Sequence, residues 1–154
     1  MKPRTLDSFF VATFVAFSLT SFLFDRAGGL DTVGPDSADP FGRALYWYGV
    51  RYDPLVAENP WFLQVMSAIS AFVFGPFYLW LAHGFLKRRE SIRTPAIAWA
   101  WVMLYSMVVH VAIELWGDMP PPSTLVFVAT YGIYCVAPVL LLLRMRSTPV
   151  FGTK

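Results

Sequence analysis

Charge is scarce in this chain. Only 14% of its 154 residues are Asp, Glu, Lys or Arg, where a soluble domain of this size carries about 25%. That shortage argues against a water-soluble fold. A mean hydropathy of +0.53 also excludes a disordered chain, which needs low hydrophobicity. The formal net charge of +2 is too small for the electrostatic footprint of a nucleic-acid-binding protein. Cysteine is nearly missing: Cys135, inside an apolar run, stands alone. The chain therefore has no internal disulfide framework and no cysteine metal motif, and its sequence implies no cofactor and no metal. No run alternates polar and apolar residues, which excludes the strands of a transmembrane barrel. Internal repeats are absent as well. The aqueous portions are too short for a second domain, so residues 1–154 are expected to form one membrane unit.

What is present is a set of four long apolar runs. Ser8–Phe24 holds 17 residues without a charge, and Trp61–Leu86, Thr94–Ile113 and Ser123–Leu143 follow. Each approaches the ~20 residues that cross a ~30 Å hydrocarbon layer. Backbone polar groups in lipid must be satisfied within the segment, so the runs predict helices, over about 8–25, 61–86, 94–116 and 123–143. Thr94-Pro95 reads as an N-cap followed by proline at the first helical position. Pro120-Pro121-Pro122-Ser123 reads as a rigid turn ending in a second cap. Gly75-Pro76 should kink the second helix, because proline removes a donor and crowds the preceding turn. Ser67, Ala71 and Gly75 recur every four residues and predict a close-packing seam.

Basic residues set the orientation. Nine of the twelve fall on one side of a four-span topology: Lys2, Arg4, Lys87, Arg88, Arg89, Arg93, Arg144, Arg146 and Lys154. Only Arg26, Arg43 and Arg51 fall on the other. The positive-inside rule then predicts an integral, multi-pass membrane protein with both termini in the cytoplasm. The first run is expected to remain as a helix and not be cleaved, since Phe22, Leu23 and Phe24 occupy the place where small residues precede a cleavage site. The first external loop, from Asp25 to Pro60, is too long for a plain connector. Within it, 41–52 reads as a short interfacial helix capped by Asp39 and stopped by Asp53-Pro54. Its aromatics, Tyr46, Trp47 and Tyr48 among them, suit the membrane boundary.

Ionisable residues inside spans are costly, so each is a site candidate. Asp25, Asp53, Glu114 and Asp118 are all expected at the external end, as an acidic mouth to a pocket between helices. His110 and Glu114 lie one turn apart on the third helix and can share a proton or hydrogen bond. If the protein is an enzyme, they are the catalytic candidates. His83 and His110 cannot share one haem iron: His110 lies 16 residues, about 24 Å, from the face near which His83 sits. Either histidine alone could be structural or could ligate a pigment magnesium. Tyr46, Trp47, Ser67, Ser70, Phe74, Trp101, Tyr105, Tyr131 and Tyr134 complete the candidate pocket lining.

Several blocks resemble the EXPERA superfamily of four-helix membrane proteins. Leu45-Tyr46-Trp47-Tyr48, Asp53-Pro54-Leu55, Pro60-Trp61-Phe62, Gly84-Phe85-Leu86-Lys87 and Ile92-Arg93-Thr94-Pro95-Ala96-Ile97 are similar to its sigma-2 receptor branch. Met66 through Ser70, Ala71 and Gly75-Pro76 to Leu79-Trp80 are similar to its emopamil-binding, sterol-isomerase branch. The resemblance implies an intrabundle pocket for sterols and amphiphilic amines, with acids that move a proton around a carbocation and aromatics that stabilise it. It matches Asp25, Asp53 and Glu114 to acids of the family. Ser67 departs from it, standing where the relatives carry the glutamate that anchors ligand. No acid lies between Trp61 and Leu86 to replace that glutamate. The scaffold therefore transfers better than the activity. The resulting expectation is a protein that binds a sterol-like or other hydrophobic lipid without isomerising it. The alternatives are an accessory subunit of a larger membrane complex, and an isomerase of another polycyclic or isoprenoid lipid. A homodimer is compatible with any of the three.

Overall fold

The computed structural model describes residues 5–152; Lys2, Arg4 and Lys154 of the charge count lie outside the described residues. It is all-helical. Helix α1 spans Thr5–Gly29, α2 Pro40–Tyr52, α3 Pro54–Glu58, α4 Trp61–Leu86, α5 Glu90–Trp116 and α6 Thr124–Arg144. Four of these, α1, α4, α5 and α6, are long and apolar enough to cross a membrane. They bury one face each and leave Val, Leu, Ile and Trp on the outside, including Trp61, Trp116 and Leu125 near the same end of the bundle. That outer surface is what lipid covers.

The four spans match the apolar runs, with three local differences. First, α1 begins at Thr5 and runs past Asp25 to Gly29, so Asp25 sits inside the helix and not at its end. Second, α1 and α4 each contain a wide π turn, at Ser21–Asp25 and Ser70–Phe74. In α4 this turn is how the Gly75-Pro76 break is absorbed: Pro76 lacks an amide hydrogen, and the wider turn lies immediately before it. The two π turns pack against each other. Ser18 donates to the Gly75 carbonyl at 2.9 Å across the same seam. Third, Thr94 does not cap α5. A 3-10 turn at Glu90–Ile92 leads directly into the helix from Arg93. Ile92 is buried against Gly84, where any Cβ would collide with it, and this packing carries the helical winding through the residues before Thr94.

The small-residue seam packs α4 on α1. Ala71 is fully buried, and a Cβ at Gly29 would come within 2.6 Å of the Ala68 amide nitrogen. Backbone meets backbone there, which only small residues allow. Beyond the seam lies an aromatic core in which Phe14 packs on Tyr78 and Trp99, and Phe17 stacks on Tyr134 at 4.4 Å.

The caps at Asp39 and Ser123 and the stop of α2 at Asp53 form as the sequence predicts. Asp39 accepts from the Phe41 amide at 3.0 Å, Ser123 accepts from the Val126 amide, and Asp53 both ends α2 and caps α3. Helix α3, not anticipated, ends at Asn59 in the left-handed conformation, whose amide group ties back to the Gly28 carbonyl at 3.0 Å. Asp39 also pairs with Arg26 at 2.7 Å, which fixes α2 to the end of α1. Burial works against the Asp39 charge, but the Phe41 amide and the Arg26 guanidinium outweigh it and hold the carboxyl below its ordinary value.

At the opposite end Asp7 and Arg144 form a buried pair, with contacts of 2.7 and 3.2 Å. Arg144 also donates to the Val150 carbonyl at 2.7 Å. Glu90 accepts from the Val150 and Phe151 amides, at 2.9 and 2.7 Å. Residues 145–152 are thereby clasped over this end of the bundle, with Phe151 packed against Phe85.

Candidate functional site

A cavity of about 740 Å³ lies between the helices, walled by α1, α2, α4, α5 and α6 with Val56 of α3. Its volume falls in the range of small-molecule sites, about 300–1,000 Å³. Most of the wall is apolar: Phe24, Leu45, Leu63, Met66, Phe74, Met103 and Met107. Ile69, Val102 and Tyr105 line it and are also exposed on the outside of the bundle, so the cavity reaches the lipid-facing surface between α4 and α5.

The residues singled out in the sequence divide. Asp25, Ser67, Ser70, Phe74, Tyr105, His110, Tyr131 and Tyr134 are on the wall. Asp53, Glu114 and Trp101 are not. Trp101 is 61% exposed on the outer face of α5, and Trp47 is 62% exposed on the outer face of α2. Tyr46 is also off the wall; Tyr48, two residues on, is the aromatic that α2 presents to the cavity. Helical faces that point to lipid and faces that point to the cavity are both apolar, which is why sequence does not separate them.

The acidic mouth does not form. Asp25 is on the wall, Asp53 and Glu114 are buried at 1% and 0% exposure, and Asp118 is exposed on the α5–α6 connection. Burial divides the four carboxylates, because α2 and α3 fold over the end of the bundle and cover Asp53. Three of them fall into two separate polar clusters, Asp25 in one and Asp53 with Glu114 in the other, which share no hydrogen bond among the described residues; Asp118 belongs to neither.

The first cluster is built on the facing π turns. Ser70 Oγ donates to Asp25 Oδ2 at 2.6 Å, Ser21 Oγ donates to the same oxygen at 3.1 Å, and the two hydroxyls are 3.1 Å apart. Asp25 Oδ1 takes no hydrogen bond from the described residues. The wide turns place these three side chains together; regular helices would rotate them apart. Thr20 and Tyr134 continue the wall beside them, 3.4 Å apart.

The second cluster joins α2, α5 and α6. Tyr131 donates to Asp53 at 2.5 Å, and Tyr48 donates to Thr130 at 3.1 Å. Burial pushes the Tyr48 phenol above its ordinary value, so it remains a donor. His110 packs its ring on Tyr131 at 4.7 Å between centroids. Glu114 sits behind it, next to Asp53, with Oε1 3.6 Å from His110 Nε2. That distance is too long for a hydrogen bond. Both ring nitrogens of His110 and both oxygens of Glu114 are buried without a partner among the described residues. An unmade hydrogen bond of this kind costs about 1–3 kcal/mol. Thr20, Tyr48, Ser106 and Thr130 were not anticipated as lining. Only the i, i+3 spacing of Leu45 and Tyr48 on α2 hinted that this helix also has an inner face.

Residues 40–145, more than half of the chain, match the sequence model of the family described as EXPERA (EXPanded EBP superfamily). The chain belongs to the EXPERA superfamily. It is in general terms an integral membrane protein of the sterol-binding or isomerase-related kind. No curated protein and no solved structure matched the chain. The match starts at α2, so α1, which supplies Asp25, precedes it; α1 is joined to the matched region through the Asp25–Ser70 bond and the Gly29–Ala68 seam.

Proposed function

We propose that this EXPERA protein binds a sterol-like or other hydrophobic lipid in the cavity between its helices and does not isomerise it. The observation that carries this reading is the makeup of the wall. A large apolar cavity has Asp25 as its one carboxylate among the described residues, and presents Ser67 where the superfamily resemblance expects a glutamate. A serine hydroxyl is neither an anion nor a practical acid near neutral pH. The Asp25–Ser21–Ser70 cluster supplies a negatively polarised anchor for a hydroxyl or amine on the ligand, and the apolar wall takes the body. The chain acts as one membrane unit with both termini cytoplasmic.

Native mass spectrometry of protein extracted from its own membrane in mild detergent tests the reading. A reproducible adduct of a few hundred daltons, lost in Asp25→Asn, supports it. A chain found only within a heteromeric mass supports the accessory-subunit alternative and overturns it. A bare homodimer without adduct also overturns it. For orientation, a cysteine at Asp36 in a Cys135→Ser background should react with a membrane-impermeant maleimide on sealed cells. A cysteine at Lys87 should react only after permeabilisation.

A second reading rests on His110 and Glu114. Glu114 is fully buried directly behind a histidine that faces the cavity, an arrangement through which a proton could reach a bound polycyclic or isoprenoid lipid. It predicts turnover that Glu114→Gln abolishes while binding persists. Unchanged turnover excludes it.

A further inference from the structure

The end of the bundle where α1 begins and α6 ends is basic, and its acids do not balance it. Among the described residues Lys87, Arg88, Arg89, Arg93, Arg144 and Arg146 lie there, against Asp7 and Glu90. Both acids are occupied. Asp7 is buried against Arg144, and the two oxygens of Glu90 accept from the Val150 and Phe151 amides. Arg88 donates to the Phe151 carbonyl, and Arg93 to the Met145 carbonyl at 3.0 Å. These bonds tie the α4–α5 turn to residues 145–152, so the basic residues of both segments share one surface. Carbonyl partners are neutral and cancel none of the arginine charge. Lys87, Arg89 and Arg146 are exposed, and their side chains make no ion pair or hydrogen bond among the described residues.

This surface stands where the apolar part of the bundle stops. Exposed Leu86 ends α4 directly before Lys87, and exposed Leu143 directly precedes Arg144 at the end of α6. Leucines exposed on spanning helices belong to the hydrocarbon layer, so the charges that follow them stand at headgroup level. The opposite end has the reverse sign: Asp31, Asp36, Glu58 and Asp118 are exposed there, against exposed Arg43 and Arg51. Topology requires only that basic residues collect on one side. It does not require that the acids beside them be withdrawn into internal bonds, which leaves the surface cationic. We propose that this end binds the phosphate headgroup of an anionic phospholipid through Lys87, Arg89 and Arg146. Each Lys or Arg at a membrane surface strengthens attraction to anionic lipid by about fivefold. The proposal is independent of what the cavity holds.

The test titrates delipidated full-length protein in mild detergent with dioleoyl phosphatidylglycerol or dioleoyl phosphatidylcholine, which share acyl chains and differ in headgroup. Native mass spectrometry gives the affinity for the first lipid bound. Wild type should favour phosphatidylglycerol by about tenfold or more. The triple variant Lys87→Gln, Arg89→Gln, Arg146→Gln should bring the ratio close to one with phosphatidylcholine affinity unchanged, which also shows that the protein is folded. The double variant Arg43→Gln, Arg51→Gln, at the opposite end, should keep the preference. Equal affinity of the two lipids for wild type overturns the proposal and needs no variant to fold. A preference that survives the triple variant overturns it too, since the anionic lipid then binds elsewhere. Equal loss in the double variant shows an effect of net charge alone and has the same force. Displacement of phosphatidylglycerol by millimolar inorganic phosphate identifies a site for free phosphate and overturns the lipid assignment.

Discussion

Breaking the Asp7–Arg144 pair should be among the most damaging single changes available outside the cavity. Both side chains are buried, at 3% and 6% side-chain exposure, and the pair is a two-pronged contact at 2.7 and 3.2 Å. Removing one partner leaves the other charge buried and uncompensated, which costs about 3–5 kcal/mol. At about 2–4 °C per kcal/mol for a chain of this size, Asp7→Asn should lower the melting temperature by about 6–20 °C. Arg144→Met should do at least as much, because Arg144 also holds the Val150 carbonyl. The double replacement Asp7→Leu with Arg144→Met removes both charges, and its cost should fall to that of one unmade bond to Val150, about 1–3 kcal/mol. The assay is thermal unfolding in detergent followed by tryptophan fluorescence, with Asp7→Leu and Arg144→Met as the single variants of a double-mutant cycle. The expected coupling is about 2 kcal/mol or more. A cost below about 1 kcal/mol for Asp7→Asn is the behaviour of a solvated surface pair and would refute the reasoning.

Other outcomes follow from the same geometry. Gly29→Ala should destabilise by about 1–3 kcal/mol, since the new Cβ meets the Ala68 backbone, which cannot rotate away; a neutral melt would show that α1 and α4 can separate freely. Glu90→Ala should release the 145–152 clasp, and trypsin should cleave after exposed Arg146 faster than in wild type, with unchanged cleavage as the contrary result. Asp39 has a depressed folded-state carboxyl, so its contribution is present above the ordinary carboxylate pKa and is lost as pH falls through the lower folded value. Asp39→Asn should therefore flatten the acid limb of the stability profile in that window and leave the slope near neutrality alone. An acid limb of wild-type steepness in the variant would count against the pairing with Arg26.

The parts of the fold that could be read from sequence are those governed by local chemistry and by the bilayer as solvent. Four apolar runs demand four helices, because no other structure satisfies the backbone in lipid. Asp39 before Pro40 and Ser123 after the proline run are caps whose donors lie within three residues, and Asp53-Pro54 is a local stop for α2, so no tertiary knowledge is needed to place them. The spacing of Ser67, Ala71 and Gly75 marks a close helix contact for the same reason: only small residues let backbones approach.

The site was another matter. In water a buried face announces itself by its contrast with a polar one, and that contrast is missing when lipid covers the outside. Trp101 faces outward only, while Tyr105, one turn on and also exposed, reaches the cavity wall. Tertiary structure alone decided between them. It also brought Asp25 to Ser70 through two π turns that no local signal at Ser21–Asp25 foretells. It paired Asp7 with Arg144 across the length of the chain and covered Asp53 with α2 and α3. Local rules fixed which segments are helices, because each helix satisfies its own backbone. Which side chains meet inside them depended on contacts between residues tens of positions apart, and those exist only once the helices have packed.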